Sequence, residues 1–160
     1  MSDTVTIRRA APADFAVLGE LMFDAVHNAP SRYTPQQRQA WVPEPRRGDD
    51  WNARLAGQVI FIAEQDGHAA GFMSLAPPDY VDFAYIRPGF QGSGLFRRLY
   101  TAIEEAALEE GQARLTVHAS LMAQPAFSAM GFEITQRETV EVRGEQLDRF
   151  AMEKLLSPAP

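Results

Sequence analysis

Glycines concentrate in one short segment where residue type and spacing suit a chemical role. Gly89, Gly92 and Gly94 fall within six residues, after an apolar stretch and just before Arg97 and Arg98. Between a strand and a helix, such a segment exposes backbone N–H groups at the helix start, where the dipole adds about half a positive charge. A phosphate can approach those N–H groups because no Cβ intervenes. The alternative is a tight turn that only caps a packed helix.

The order of the glycines argues against two common phosphate-binding motifs. It reads Gly-x-x-Gly-x-Gly, whereas the dinucleotide fingerprint reads Gly-x-Gly-x-x-Gly. A Walker A loop needs a lysine followed by serine or threonine, and the segment has no lysine. A nucleotide-binding protein built on either motif is therefore disfavoured.

Composition narrows the class of protein further. The 160 residues fit a single domain spanning 1–160. The chain has no cysteine, which excludes disulfides, thiolate nucleophiles and cysteine zinc sites and fits a cytoplasmic location. A net charge of −6 argues against nucleic acid or a membrane surface as partner. The first residues lack the apolar core of a signal peptide, and no apolar run reaches the ~20 residues that span a bilayer.

Hydrophobic periodicity and turn residues predict the elements that must position the glycine segment. Asp66-Gly67 and Arg143-Gly144 each separate two strand-like runs and are typical of hairpin turns. Thr34 and Pro35 begin a short helix that Pro43 stops. Strands are predicted at 4–10, 58–65, 68–77, 79–88, 113–120, 132–142 and 147–156, and the other helices at 11–29, 50–57, 93–110 and 121–131. We therefore expect an α/β fold, a mixed and mostly antiparallel sheet flanked by helices, in which 79–87 and 113–119 form one parallel pair joined by a right-handed crossover.

Three segments resemble the GNAT superfamily of N-acyltransferases. The stretch YIRPGFQGSGL is similar to its acyl-CoA-binding loop, with Ile86, Pro88, Gln91 and Gly94 at the matching positions. The stretch VHASLMAQPAFSAMGF resembles the strand, short helix and Gly-Phe turn that follow that loop. The stretch RYTPQQRQAWVPE resembles a segment of one bacterial small-molecule acyltransferase subgroup. The resemblance thus covers nearly the whole chain.

The resemblance implies a GNAT fold and an acetyl-CoA-dependent N-acetyltransferase without a metal. The primary amine of a small molecule would attack the acetyl group directly, and a backbone N–H near Ala84 to Ile86 would stabilise the oxyanion. The residues implied for acyl-CoA are Ala84, Tyr85, Ile86, Gln91, Gly92, Ser93, Gly94, Leu95, Phe96, Arg97 and Arg98. The chain departs from the family pattern at two positions. Phe96 stands where the family usually has glycine or alanine, and Phe127 stands where it often has a tyrosine that protonates the leaving thiolate. The second departure leaves open an acyl-CoA-binding module with little or no turnover.

Four residues are candidates for catalysis. Asp82 is the first choice for the base, because it lies in the strand before the glycines among apolar residues, although an arginine or a backbone N–H could instead hold it. His118 has a suitable ordinary pKa but could simply be packed. Ser120 could donate a proton or cap the next helix, and Tyr85 is another donor. Glu64 is a further candidate for the base.

Aromatic residues predict the acceptor site. Tyr33, Trp41 and Tyr80 are expected to hold the amine, by cation–π contact where the ring faces a cation. Trp51 and His27 lie in the same part of the sequence, and all of these aromatics could instead be core residues of short helices. The last hairpin offers edge strands that could pair two copies into a homodimer.

Overall fold

A seven-stranded sheet with helices on both faces forms the molecule in a computed structural model that describes residues 4–91 and 93–156. The strands are β1 Val5–Arg9, β2 Val59–Gln65, β3 His68–Ala76, β4 Tyr80–Ile86, β5 Arg114–Ser120, β6 Glu133–Val142 and β7 Glu145–Leu155. The helices are α1 Phe15–Asn28, α2 Pro35–Trp41, α3 Asp49–Ala56, α4 Leu95–Glu109 and α5 Gln124–Ala129. The strand order is β1-β2-β3-β4-β5-β7-β6, and β4 and β5 are the parallel neighbours. The predicted mixed α/β fold is therefore confirmed.

Both predicted hairpin turns are confirmed by their backbone angles. Asp66 and Gly67 have φ values of 53° and 83°, and Arg143 and Gly144 have values of 47° and 84°. Positive φ at both central residues suits the right-handed twist of the flanking strands. These turns fix the registers of β2 with β3 and of β6 with β7.

Helix starts follow local side-chain chemistry, with one difference from the sequence prediction. Thr34 caps α2 as expected, since its Oγ1 accepts from Gln37 N at 3.1 Å and the Gln37 side chain accepts from Thr34 N at 2.8 Å. The predicted helix at 11–29 is instead a 3-10 turn, Pro12–Asp14, followed by α1. The Asp14 carboxylate accepts from Ala11 N and from Arg8, which fixes this tighter turn.

Two apolar layers lie on opposite faces of the sheet. On one face, the buried side of α4 packs with β3, β5 and Phe127 of α5. On the other face, α1 and α3 pack with Phe72 and Phe83, and Trp51 donates from its indole to Phe15 O at 2.7 Å. Trp51 is therefore a core residue, which was the alternative to a role in the acceptor site.

The parallel pair opens almost as soon as it forms. Within the described residues, β4 and β5 pair only at Tyr80 with Thr116 and at Val81 with Val117. The next residue, Asp82, is an extra residue in β4: Val81 pairs with Leu75 of β3, and Phe83 pairs with Ser74. A bulge bends its strand and ends regular pairing. The two strands then separate into a cleft, a shorter pairing than the sequence predicted.

The bulge also changes which side chains share a face. Simple alternation along β4 would place Tyr80, Asp82 and Ala84 on one face, but the bulge separates Ala84 from the other two. Ala84 packs with the α4 layer, whereas Phe83 and Tyr85 pack with the α1 layer. Because the extra residue shifts the alternation by one, Tyr85 rather than Ala84 faces the side of the cleft that holds α1 and α2.

Candidate active site

A large cavity runs from the open end of β4 to the glycine segment and α5. Its volume is about 400 Å³, and its lining is mainly apolar. The residues implied for acyl-CoA that line it are Ala84, Tyr85, Ile86, Gln91, Gly94, Leu95, Phe96 and Arg97. Ser93 and Arg98 are exposed nearby but are not in the lining, and Gly92 lies outside the described residues. The structure therefore brings most of these residues to one cavity.

The glycine turn leaves the start of α4 open. Gly94 has a φ of 82°, which L side chains rarely adopt, and a Cβ placed there would have no described atom within 4 Å apart from those of its chain neighbours. The Gln91 side chain donates to Ile86 O at 3.3 Å, and the Ser93 hydroxyl donates to Phe90 O. Arg97 is exposed beside the cavity. Backbone N–H groups and one cation thus face open space at the positive end of a 15-residue helix.

Two phenylalanines shape the apolar wall of the large cavity. Phe96 and Phe127 meet edge to face with centroids 5.1 Å apart, and Phe127 stands in the same relation to Phe132. Phe127 is 1% exposed, whereas Phe96 lines the cavity. The two departures from the family pattern therefore pack against each other, and Phe127 has no proton to donate.

A second cavity, of about 190 Å³, lies on the α1 side of the cleft. The predicted catalytic and acceptor residues that line it are Tyr33, Trp41, Tyr80, Asp82, Tyr85, His118 and Ser120. Trp41, Tyr85 and Ser120 line the large cavity too, so the two cavities meet there. A small space of about 50 Å³ at this junction lies between the separated ends of β4 and β5.

Asp82 is held on both oxygens. Arg54 donates to it through Nε at 3.0 Å and Nη2 at 2.8 Å, and Gln58 Nε2 donates to Oδ2 at 2.7 Å. The Arg54 guanidinium also stacks over the Phe83 ring, 4.6 Å from its centroid. Asp82 lines the second cavity, and an arginine, Arg54, holds it, as the alternative to a catalytic role expected, with Gln58 as a further donor.

His118 and Tyr80 bridge the two separating strands. Tyr80 Oη lies 2.8 Å from His118 Nδ1, and His118 Nε2 lies 3.7 Å from Glu138 Oε1. Burial lowers the pKa of His118, Arg149 lowers it further, and Glu138 partly offsets both. Burial raises the pKa of Tyr80. At neutral pH the pair is therefore a neutral imidazole beside a protonated phenol.

Ser120 and Tyr85 offer two hydroxyls at the junction of the cavities. Ser120 Oγ accepts from Ala123 N at 3.1 Å, which closes the turn into α5 and leaves the hydroxyl proton to donate. The Tyr85 hydroxyl has no hydrogen-bond partner in the described part of the chain. Burial raises the pKa of Tyr85, so this phenol also keeps its proton. Tyr85 lines the second cavity together with Arg46 and Asp82.

Tyr33 and Trp41 differ in how freely they can meet a ligand. The Tyr33 hydroxyl donates to Asp148 O at 2.6 Å and accepts from Leu121 N at 3.1 Å. It therefore connects the residues just before α2 to β7 and to the end of β5. Trp41 is half-buried, meets the Tyr33 ring edge to face at 5.6 Å, and lines all three cavities. Tyr33 thus offers only its ring to the second cavity.

Two weaker candidates lie elsewhere. Glu64 pairs with Arg8 at 2.6 Å, in a surface cavity at the β1 edge. His27 Nε2 lies 2.6 Å from Val42 O and lines neither of the two cavities described above. Both residues therefore hold elements together.

Sequence reasoning missed the arginines of the second cavity. Arg46, Arg54 and Arg149 line it together with Asp82. They come from a loop, from α3 and from β7, and their sequence neighbours carry no motif. Only the packing of these elements brings them together, so the sequence alone gave no signal for them.

Residues 4–91 and 93–156 contain neither a cluster of metal ligands nor a membrane-spanning helix. No cluster of three or more His, Asp or Glu side chains that could hold a metal occurs in them. No helix in those ranges is long and apolar enough to cross a membrane.

Comparisons with known proteins show the family of this chain. The family described as acetyltransferase (GNAT) domain matches residues 30–156. The uncharacterized N-acetyltransferase YafP of Escherichia coli K12 is 30% identical over 153 residues, which cover 94% of this chain and 95% of that protein. The crystal structure of a GCN5-related N-acetyltransferase from Rhodopseudomonas palustris superposes with a TM-score of 0.89 at 32% identity, covering 98% and 99% of the two chains.

More distant structures share the fold and were solved with a ligand. The yncA protein of Salmonella typhimurium, with its cofactor acetyl-CoA, has a TM-score of 0.68 at 23% identity and covers 98% of this chain and 96% of its own. The PaiA N-acetyltransferase of Thermoplasma acidophilum, in complex with coenzyme A, has a TM-score of 0.71 at 16% identity and covers 96% and 99%.

Proposed function

Since the chain belongs to the GNAT acetyltransferase family and is an acetyltransferase, we propose that it moves the acetyl group of acetyl-CoA to the primary amine of a small molecule. The observation that carries this proposal is the meeting of two cavities at the opening between β4 and β5. A donor in one cavity and an acceptor in the other would bring thioester and amine together without a covalent enzyme intermediate.

The large cavity suits the acyl-CoA. Its glycine turn and Arg97 face open space at the start of α4, where N–H groups and the helix dipole favour pyrophosphate. Its apolar walls suit the pantetheine arm. The separated part of β4, from Ala84 to Ile86, supplies backbone N–H groups for the acyl oxygen.

Tyr80 and His118 act together as the base. The amine nitrogen bonds to the carbonyl carbon and gives a proton to Tyr80 Oη, while the Tyr80 proton passes to His118 Nδ1 at 2.8 Å. Glu138, near His118 Nε2, favours the tautomer that leaves Nδ1 free to accept. We favour this pair over Asp82, because Arg54 and Gln58 occupy the oxygens of that carboxylate.

Ser120 donates a hydrogen bond to the leaving thiolate when the C–S bond breaks, and the proton that the amine passes to the Tyr80–His118 pair balances the one that the thiolate takes up from solvent. It lines the large cavity beside Ala123, and its hydroxyl proton is not used by the turn that it closes. Phe127 cannot take this role. Tyr85 lies on the acceptor side, where its phenol would contact the bound amine.

An acyl-CoA-binding module with little turnover is the second candidate. Phe127, buried in an aromatic cluster, is the observation in its favour, because this position carries no acid. It predicts binding without release of thiol from any amine. The cytoplasmic location, the absence of nucleic-acid and membrane partners, and the homodimer remain predictions from the sequence.

Ligand binding tests the donor half of the proposal. We expect acetyl-CoA to raise the free energy of unfolding by about 2.7 kcal/mol at 100 times Kd, and ATP and NAD to do so much less. Gly94→Val should abolish most of that gain, because a branched residue is strained at φ 82° and its Cβ enters the open space. Arg98→Ala should weaken acetyl-CoA binding only modestly, because Arg98 is exposed, lies outside the cavity lining and is one of several positive groups.

The measurements are thermal shift for each ligand and release of free thiol with a panel of amines. Release of thiol with an amine supports transfer, whereas binding without release supports the module. Equal shifts with all three ligands, or normal acetyl-CoA binding by a folded Gly94→Val variant, would contradict the assigned donor site.

A further inference from the structure

Positive charge dominates the side chains that line the second cavity. Arg46, Arg54 and Arg149 face it, against a single carboxylate, Asp82. This balance is opposite to the net charge of −6 of the whole chain. A cavity built only for a cationic amine would place carboxylates there instead.

The partners of these arginines differ. Arg54 is neutralised by Asp82, which it contacts through two nitrogens. Arg149 pairs with Glu138 at 2.8 Å. Arg46 forms no ion pair and no side-chain hydrogen bond with any described residue, and its Nε is buried without a partner. Arg46 is therefore the cation of this cavity whose charge the protein leaves uncompensated.

An uncompensated, half-buried guanidinium is costly to maintain. Burial lowers the pKa of Arg46, and the nearby Arg54 adds repulsion. The buried Nε without an acceptor adds a further cost, because a donor removed from water has lost its hydrogen bonds to solvent. An anion in the cavity would compensate the charge, because a guanidinium presents parallel N–H donors to a carboxylate or a phosphate.

The backbone that carries Arg46 is held in place by α1. At Gly19, a Cβ would lie 1.9 Å from Arg46 O, so the absence of a side chain allows the loop to rest on the helix. Gly19 is itself buried. This close approach fixes where the Arg46 side chain enters the cavity.

We propose that the acceptor carries an anionic group, a carboxylate or a phosphate, beside its amine, and that Arg46 binds this group in the second cavity. The inference rests on the proposed function and names the substrate class of that same site. Trp41 and Tyr85, which line the same cavity, would contact the part of the acceptor between its two polar ends.

Matched acceptors test the proposal. The probes are phenylalanine against phenylalaninamide and phenethylamine, and O-phosphoethanolamine against ethanolamine. We expect the wild-type kcat/KM to be at least about tenfold higher for an anionic probe than for its neutral partners. Arg46→Gln should raise KM for the anionic probe by about 10- to 100-fold with kcat nearly unchanged, and should leave the neutral partners unaffected. The carboxylate and phosphate arms identify which anion is preferred.

Arg47→Gln is the control, since Arg47 is the exposed neighbour and does not line the second cavity. Arg46→Glu should reverse the preference toward amines without an anion. Binding of the same probes to the CoA-loaded protein, measured by calorimetry, gives a readout besides turnover. Thermal stabilisation by CoA verifies that each variant is folded.

Two results would overturn the inference: neutral partners used and bound as well as anionic probes by the wild type, or an Arg46→Gln loss that is equal for charged and neutral probes. If neutral amines release thiol without any preference for an anion, the acetyl transfer stands and only this inference fails. If CoA binds, anionic probes bind through Arg46 and no amine releases thiol, the transfer fails while the anion site stands.

Discussion

Tyr80 and Asp82 stand two residues apart in β4, but their partners give them different chemistry. The Tyr80 hydroxyl lies 2.8 Å from His118 Nδ1, and the lowered pKa of His118 keeps the imidazole neutral at pH 7, so Nδ1 has a lone pair to accept a proton. The Asp82 carboxylate meets a guanidinium and an amide that already donate to it. Three donors already face the Asp82 carboxylate, whereas His118 Nδ1 is contacted by the Tyr80 hydroxyl alone in the described chain, and for this reason we favour the Tyr80–His118 pair as the base.

Substitutions at these positions test which group removes the proton. Tyr80→Phe and His118→Asn should each lower kcat by roughly 10²- to 10⁴-fold. The double variant should have a kcat close to that of the less active single variant, because the two residues act as a unit. Asp82→Asn should cost less than about tenfold in kcat. Steady-state kinetics with an accepted amine measures these effects, with acetyl-CoA affinity as the control. A loss of 100-fold or more in Asp82→Asn, beside full activity in Tyr80→Phe, would return the role of base to Asp82.

At the scale of elements, the bulge in β4 decides the shape of the site. One extra residue ends the pairing with β5, turns Tyr85 toward the second cavity and places Asp82 against Arg54. Its backbone is stabilised by Ser74, which is fully buried and whose Oγ accepts from Phe83 N at 3.1 Å. That hydroxyl satisfies an N–H group at the irregular position of the ladder.

Ser74→Ala tests how much this hydrogen bond stabilises the bulge. It leaves the buried Phe83 N–H without its acceptor, so we expect the free energy of unfolding to fall by about 1–3 kcal/mol. Ser128→Ala, which removes an exposed hydroxyl from α5, should stay within about 0.5 kcal/mol of the wild type. Urea unfolding at constant m measures both changes. Equal stability of the two variants would mean that the bulge does not depend on Ser74.

Elements were predictable from the sequence to the extent that local chemistry determines them. Asp66-Gly67 and the Thr34 cap act over a few residues, and both were predicted correctly. The bulge was not, because Asp82 becomes an extra residue only through its register with β3. The donors to Asp82 and the position of Arg46 in the second cavity depend on where α3 and a loop pack. No local sequence pattern predicts that packing.

Across the whole molecule, the sheet consists of two parts that meet at only two residue pairs in the described chain. β1 to β4 form one part, and β5, β7 and β6 form the other, with both cavities at their junction. The net charge of the chain does not predict the local charge of the site, because a chain with a charge of −6 lines its second cavity with three arginines. Tyr80 and His118 connect the two parts across the junction.

The dependence of global stability on pH tests the state of His118 at this junction. Burial and Arg149 lower its pKa below the ordinary value of 6.5, whereas the unfolded chain keeps that value, so below pH 6.5 the unfolded state binds more protons. The free energy of unfolding should therefore fall as the pH is lowered from 7.5 to 5.5, and His118→Asn should fall less steeply. Urea unfolding at pH 7.5, 6.5 and 5.5 measures both curves, and the other titrating groups are common to the two proteins. Parallel curves, or a steeper fall in His118→Asn, would contradict a neutral His118 beside Tyr80.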